Sequence, residues 1–304
     1  MNIYKSNCFY GVLFDNNNKM KANQTYKLAF SSCPNDTFIF KAIARELIDL
    51  HGYSFDIVLE DVETLNQKAA KGRYDITKLS FAALGSLGDK YALLRTGSAL
   101  GMGCGPLVIS LPGRSIDDKN KPIVAVPGLG TTGYHLFRFY MDDLFAGIDP
   151  IIIPMPFEKI MLSVMEKKAD FGVIIHEGRF VYHTMGLELK ADLGLWWEEK
   201  TSLPIPLGCI AIKRDIDPGI ACDIQNLIRQ SIDHAFLHPS MAYDYIQAYA
   251  QELDEDVIQQ HIRLYVNDFS KDIGENGEAA ITSFFEKAWA SGLIEKSRHP
   301  LFAC

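Results

Sequence analysis

The sequence predicts an α/β protein of two lobes joined by a double crossing, and three observations predict it. From Tyr26 onward, short β-rich runs alternate with helical ones, and a second alternation of the same kind starts after Pro122. Two further apolar strands, Gly105-Pro106-Leu107-Val108-Ile109-Ser110 and Leu207-Gly208-Cys209-Ile210-Ala211-Ile212, stand apart from both sets. Each has Gly and Pro at or near its start and polar flanks, as chain crossings between lobes do. A chain of 304 residues also exceeds one ordinary hydrophobic core, which agrees with two domains.

Taken in order, residues 1–24 hold Asn16-Asn17-Asn18 and several lysines without an apolar stretch. They read as a poorly ordered N-terminal extension, with Met20 a candidate start just ahead of the first strand. The first set then runs as strand 27–30, helix 37–50, strand 56–59 and helix 63–71. Tyr74 to Phe81 reads as a turn opening the apolar helix Phe81-Ala82-Ala83-Leu84, and Gly101-Met102-Gly103-Cys104-Gly105 as a flexible approach to the first crossing. The second set runs as strand 123–126, helix 134–145, strand 151–153, helix 157–168 and a strand over 171–175 that ends on His176. After Arg214 the pattern is helical: 222–236, stopped by His238-Pro239, then 241–250, 256–266 and 278–291, closed by Gly292. Having no strands of their own, these helices are expected to pack on the first lobe. The expected lobes are residues 25–110 plus 208–304, and residues 111–207.

Composition narrows the partners. Apolar residues make up 48% and charged residues 22%, as in an ordinary globular enzyme. The net charge of −8, with no basic cluster, argues against nucleic acid and anionic membrane, both of which need a concentrated Lys/Arg face. A small molecule is the expected ligand. Cys8, Cys33, Cys104, Cys209, Cys222 and Cys304 are scattered, which signals neither a zinc site nor a disulfide framework. Reduced thiols, no signal sequence and no apolar run near the roughly 20 residues of a membrane span point to the cytoplasm. No pattern bears on oligomeric state.

Three turns could hold a ligand. In Ser31-Ser32-Cys33-Pro34-Asn35-Asp36-Thr37, side chains can cap the next helix while its free N–H groups attract an anion; simple capping explains Asn35 or Asp36 alone. In Thr77-Lys78-Leu79-Ser80, a lysine beside a helix N-terminus is unfavourable unless an anion lies between them, the alternative being a surface lysine folded along the helix. The third turn, Gly128-Leu129-Gly130-Thr131-Thr132-Gly133, matches GxGxxG, but Pro154-Met155-Pro156 stands where a dinucleotide site needs a ribose-binding acid. Its hydroxyls and N–H groups suit a small anion instead.

His176 ends the buried run Phe171-Gly172-Val173-Ile174-Ile175 at a Gly-containing turn. Imidazole titrates near neutrality and can act there as a base, although many histidines at strand ends are structural. His176-Glu177 does not continue to HExxH, since Phe180 holds the fifth position. Trp196-Trp197-Glu198-Glu199 reads as packing, Cys104 lacks an assignable histidine partner, and no GxSxG is present.

Separated blocks then point to a family. Ser32 to Phe38, Leu59 to Asn66, Thr77-Lys78-Leu79-Ser80, Val126-Pro127-Gly128 with Thr131-Thr132, Ile174-Ile175-His176-Glu177, Trp196 to Glu199 and Leu203 to Gly208 together resemble the 1,4-dihydroxy-6-naphthoate synthases of the futalosine route to menaquinone. The resemblance covers the chain from about Tyr26 to Phe302. It implies a fold similar to type II periplasmic binding proteins, two α/β lobes with two interlobe crossings. It also implies cleavage of cyclic dehypoxanthinyl futalosine, a carboxylate, to the naphthoate and dihydroxyacetone, with no metal or nicotinamide. By the same resemblance His176 is the proton acceptor, and Lys78, Leu79, Ser80, Thr132 and Gly133 contact the substrate; a relative can carry Ala where Gly133 stands. The competing expectations are a non-catalytic small-carboxylate binder on the same fold and, from residues 128–133, a dinucleotide-dependent dehydrogenase.

Overall fold

A computed structural model describes residues 24–119, 121–249 and 254–304, with residues 240–242 described in backbone only. The expected extension over residues 1–24, Gln24 apart, lies outside the described residues, and so does Met20. The chain opens with β1 (Thr25–Phe30), α1 (Pro34–Ala44), β2 (Ser54–Leu59), α2 (Val62–Ala70), β3 (Ile76–Ser80), α3 (Phe81–Ser86), β4 (Tyr91–Leu93) and β5 (Ala99–Gly101). Pro34, whose fixed φ suits the first turn of a helix, starts α1, and the Asp61 carboxylate caps α2 by accepting from the N–H groups of Glu63 and Thr64. The expected helix over 37–50 is shorter and shifted, because Glu46 turns left-handed at φ 51° and breaks the ladder.

The chain then builds β6 (Leu107–Ser110), β7 (Ile123–Val126), α4 (Thr132–Leu144), β8 (Ile151–Pro154), α5 (Ile160–Met165), β9 (Phe171–Ile174), α6 (Gly178–Val181), β10 (Glu188–Asp192) and α7 (Leu193–Thr201). It returns through β11 (Ile205–Lys213) and ends in α8 (Pro218–Leu237), α9 (Pro239–Gln247), α10 (Glu255–Tyr265), α11 (Asp268–Lys271) and α12 (Gly274–Ala290).

Two sheets result. The first has the order β2-β1-β3-β11-β4, with β5 also paired to β11. β1 is parallel to β2 and β3, as strands joined through helices must be, and β11, arriving from the other sheet, runs antiparallel to β3, β4 and β5. The second sheet has the order β10-β6-β9-β7-β8, with β7 parallel to β8 and β9 and with β6 antiparallel to β9 and β10.

The pairing moves both expected crossings. Leu107–Ser110 is an interior strand of the second sheet, not a crossing at the end of the first lobe, and the chain changes sheets just before it, at residues 102–106. The return lies at residues 202–204, because β11 pairs in the first sheet from Ile205 onward. An apolar strand with Gly and Pro at its start marks a strand that follows a crossing.

α8, α9 and α10 pack on α1, where the Ser231 hydroxyl donates to the Ile39 carbonyl at 2.5 Å. α12 packs on α3 and β11 and also reaches α4 of the other lobe. Phe284 of α12 lies 5.5 Å from the Phe139 ring and 6.1 Å from Trp197. One apolar core therefore runs from Leu79 through Phe284 to Val126 and Trp197, spanning both sheets. Among the described residues no helix is long and apolar enough to cross a membrane.

Candidate active site

A cleft of about 650 Å³ lies where the two sheets face each other, lined from the first by Ser31, Asn35, Asp36, Lys78 and Ser80 and from the second by Thr132, Gly133 and His176. His176 follows β9 and adopts φ 54°, a left-handed conformation that is costly for a non-glycine residue. The bend brings its ring to the cleft, 5.1 Å from the Phe157 ring. Nδ1 lies 3.5 Å from the Cys33 sulfur, and the ring is nearly parallel to His261 at 6.2 Å. Burial lowers the pKa of His176, opposed by the negative charges of Glu177 and Asp36. The ring is thus neutral at neutral pH, the form a base requires. Burial likewise raises the Cys33 thiol well above its usual range, so the contact joins a thiol to a neutral imidazole.

The Thr77-Lys78-Leu79-Ser80 segment lies on strand β3 and not in a turn, and the two-residue period of a strand sorts it. Lys78 and Ser80 line the cleft, whereas the Leu79 side chain is fully buried in the opposite core and does not line it. Lys78 Nζ donates to Asp36 Oδ1 at 2.6 Å, with both side chains closed to solvent. The other Asp36 oxygen accepts from the Ser31 hydroxyl at 2.6 Å and the Ser31 N–H at 3.2 Å, and Asn35 Nδ2 donates to Oδ1 at 2.8 Å. So the anion expected beside Lys78 is the chain's own Asp36. Nor do Asn35 and Asp36 cap α1: its N-cap is Cys33, which makes no side-chain capping bond. Gly208 makes the ion pair possible, because a Cβ there would stand 2.9 Å from Lys78 Cε.

The glycine turn after β7 is also supplied from within. Glu63, at the start of α2, sets its carboxylate against Gly128 and Gly130, where it accepts from the Gly130 N–H; a Cβ on Gly128, whose φ is 144°, would overlap it. Burial raises the Glu63 pKa, offset in part by hydrogen bonds from Gln67, Asn66 and Gly130. Asn66 Nδ2 adds bonds to the Gly130 carbonyl at 3.3 Å and the Ser80 hydroxyl at 3.2 Å. A dinucleotide pyrophosphate would meet this carboxylate at the point the GxGxxG pattern reserves for it, which removes the dehydrogenase expectation. Thr131 caps α4, and the Thr132 hydroxyl donates to the Leu207 carbonyl at 2.8 Å. A Cβ on Gly133 would stand 3.2 Å from Ile175 Cγ2, so alanine fits there after a small shift.

Of the residues expected from the sequence, Lys78, Ser80, Thr132, Gly133 and His176 share the cleft and Leu79 does not. His261 and Tyr265, one turn apart on α10, line it unannounced; their four-residue spacing is the sole trace in the sequence. Arg179 is a further addition. Its guanidinium donates to the Gly105 carbonyl at 2.9 Å and pairs with Asp192 at 2.5 Å, tying the turn after His176 to the first crossing.

Fold and cleft together define a two-lobed α/β protein of the periplasmic-binding-protein type with its site between the lobes. The alkanesulfonate-binding protein SsuA from Xanthomonas axonopodis shares that fold, with a TM-score of 0.66 at 11% identity over 90% of this chain and 96% of that one. The sequence model of a family described as menaquinone biosynthesis matches residues 26–290, and the chain belongs to that family. A 1,4-dihydroxy-6-naphthoate synthase from Thermus thermophilus is 43% identical over 92% of this chain and 99% of its own length. The Streptomyces coelicolor enzyme of the same name is 41% identical over 89% and 95%. The crystal structure of protein AF1704 from Archaeoglobus fulgidus, 34% identical, superimposes with a TM-score of 0.82 over 89% of this chain and 98% of that one.

Proposed function

We propose that the chain is a carbon–carbon lyase that converts cyclic dehypoxanthinyl futalosine to 1,4-dihydroxy-6-naphthoate and dihydroxyacetone. The observation that carries the reading is the neutral, half-buried His176 imidazole, presented by the turn after β9 to a cleft whose opposite wall holds Lys78 and Ser80. The names of the relatives support the product, and the cleft supports the route to it.

In this reading the substrate carboxylate binds Lys78 and the neighbouring hydroxyls. An ammonium has three donors and Asp36 takes one, so Lys78 can hold a second carboxylate without releasing the first. His176 removes the proton that starts ring opening, a step for which a positioned base supplies about 10²- to 10⁴-fold. Hydroxyl and N–H donors of the cleft stabilise the developing enolate oxygen, and aromatisation of the naphthalene ring draws the elimination forward. Closure of the lobes excludes water and aligns base and substrate. A cytoplasmic setting suits the free thiols of Cys33, Cys104 and Cys209.

Incubation with the cyclic futalosine tests the reading. Naphthoate and dihydroxyacetone in equal amounts are expected. Binding without turnover would instead make the chain a small-carboxylate binder on the same fold.

A further inference from the structure

His261 lies on α10, in the C-terminal run of helices, and its fully buried ring lines the cleft beside His176. The Asp36 carboxylate only accepts, so the Asn35 group bonded to it at 2.8 Å is the amide NH₂. That fixes the Asn35 flip and turns its carbonyl oxygen toward His261 Nε2 at 3.0 Å. A carbonyl oxygen also only accepts, so Nε2 carries the proton and donates. Nδ1 is then the bare nitrogen of a neutral ring, with its lone pair fixed in direction by the chain His261–Asn35–Asp36–Lys78.

That lone pair has no partner. Among the described residues six buried side-chain atoms lack one, on Ser98, His135, Ser163, Glu177, Tyr243 and His261, and of these residues only His261 lines the cleft. A buried acceptor left unmatched is destabilising, a cost that a donor brought by a ligand removes. Lys78 and Ser80, on the same lobe as His261, supply donors that suit the acidic end of a substrate.

We infer that His261 Nδ1 is a preset acceptor for a hydroxyl of the substrate's polyol portion, the part that leaves as dihydroxyacetone. The inference rests on the function proposed above. Next to the base, His261 reads the fragment on the departing side of the bond that breaks, and it discriminates against analogues that lack the hydroxyl.

Two substitutions separate this role from a structural one. His261→Gln places an amide near Nε2 and keeps the bond to Asn35 but has nothing at Nδ1; His261→Asn places its amide near Nδ1. For the cyclic futalosine, His261→Gln is expected to raise KM about 5- to 10-fold, His261→Asn to return it toward the wild-type value, and affinity for the naphthoate product to stay unchanged in both. Unaltered KM in His261→Gln would overturn the inference, as would a loss of naphthoate affinity parallel to the rise in KM. A Gln variant that fails to fold leaves the decision to His261→Asn: wild-type KM upholds the inference, and a KM raised as far as expected for Gln overturns it. A wild type that does not turn over the cyclic futalosine overturns the proposed function and this inference with it; a wild type that does, without the pattern described, overturns the inference alone.

Discussion

Nζ of Lys78 lies 2.6 Å from Oδ1 of Asp36, and both side chains are buried. The pair joins β3 to the first turn of α1 and forms the floor of the cleft. Removing one partner of such a buried pair strands the other charge. Lys78→Met or Asp36→Asn alone is therefore expected to cost about 3–5 kcal/mol of stability, with the double variant costing less than the sum of the two. Urea denaturation of the double-mutant cycle measures the coupling, and additive losses would show that the pair is not a unit.

The contact between Glu63 and the glycine turn makes a second non-additive prediction. Glu63→Ala leaves the Gly130 N–H without its acceptor, and Gly128→Ala displaces the same carboxylate. Each is expected to lower stability by about 1–3 kcal/mol, and because both remove one contact, the double variant should be hardly worse than the worse single. Thermal melts of the three variants check this.

Acid should weaken the fold before it protonates the buried histidines. Burial lowers the His135 pKa to about 4, and burial lowers His176 and His261 as well. The unfolded His135 imidazole takes its proton near pH 6.5, so at this site, between that value and about pH 4, protons bind the unfolded chain alone. The stability from burying neutral His135 is whole above pH 6.5, declines as the pH falls, and is lost by about pH 4, a difference of roughly 3 kcal/mol. Denaturant midpoints at about pH 7.5 and about pH 4.5 test it, and His135→Phe should reduce the difference between them.

The lowered pKa of His176 also sets the direction of the acid limb of activity. A base that stays neutral below the usual imidazole range keeps kcat/KM constant further into acid, so the limb is expected below pH 6.5. A limb above that value would show that Glu177 and Asp36 outweigh burial.

Much of the architecture was legible because the βα alternation is written in hydrophobic periodicity, which local sequence carries. The strands β4, β5 and β10 were not, since Tyr91–Leu93 and Ala99–Gly101 are three residues each and Glu188–Asp192 is largely polar. The cleft was legible in part. His176 stood out because a buried strand ended on it, and Ser80 and Thr132 because hydroxyls clustered at turns. The partner of Lys78 is 42 residues away and the partner of His261 is 226 away, so tertiary packing alone brings them together. The Leu79 side chain falls in the core because Ile76–Ser80 is a strand and not a turn, so the two-residue period sends it to the face opposite Lys78 and Ser80.

The rate of naphthoate release by wild type and His176→Gln, measured side by side with the cyclic futalosine, decides whether His176 is the base. The wild type is expected to turn over and the variant to lose about 10²- to 10⁴-fold in rate, with substrate binding retained. Full activity in His176→Gln would show that another group takes the proton.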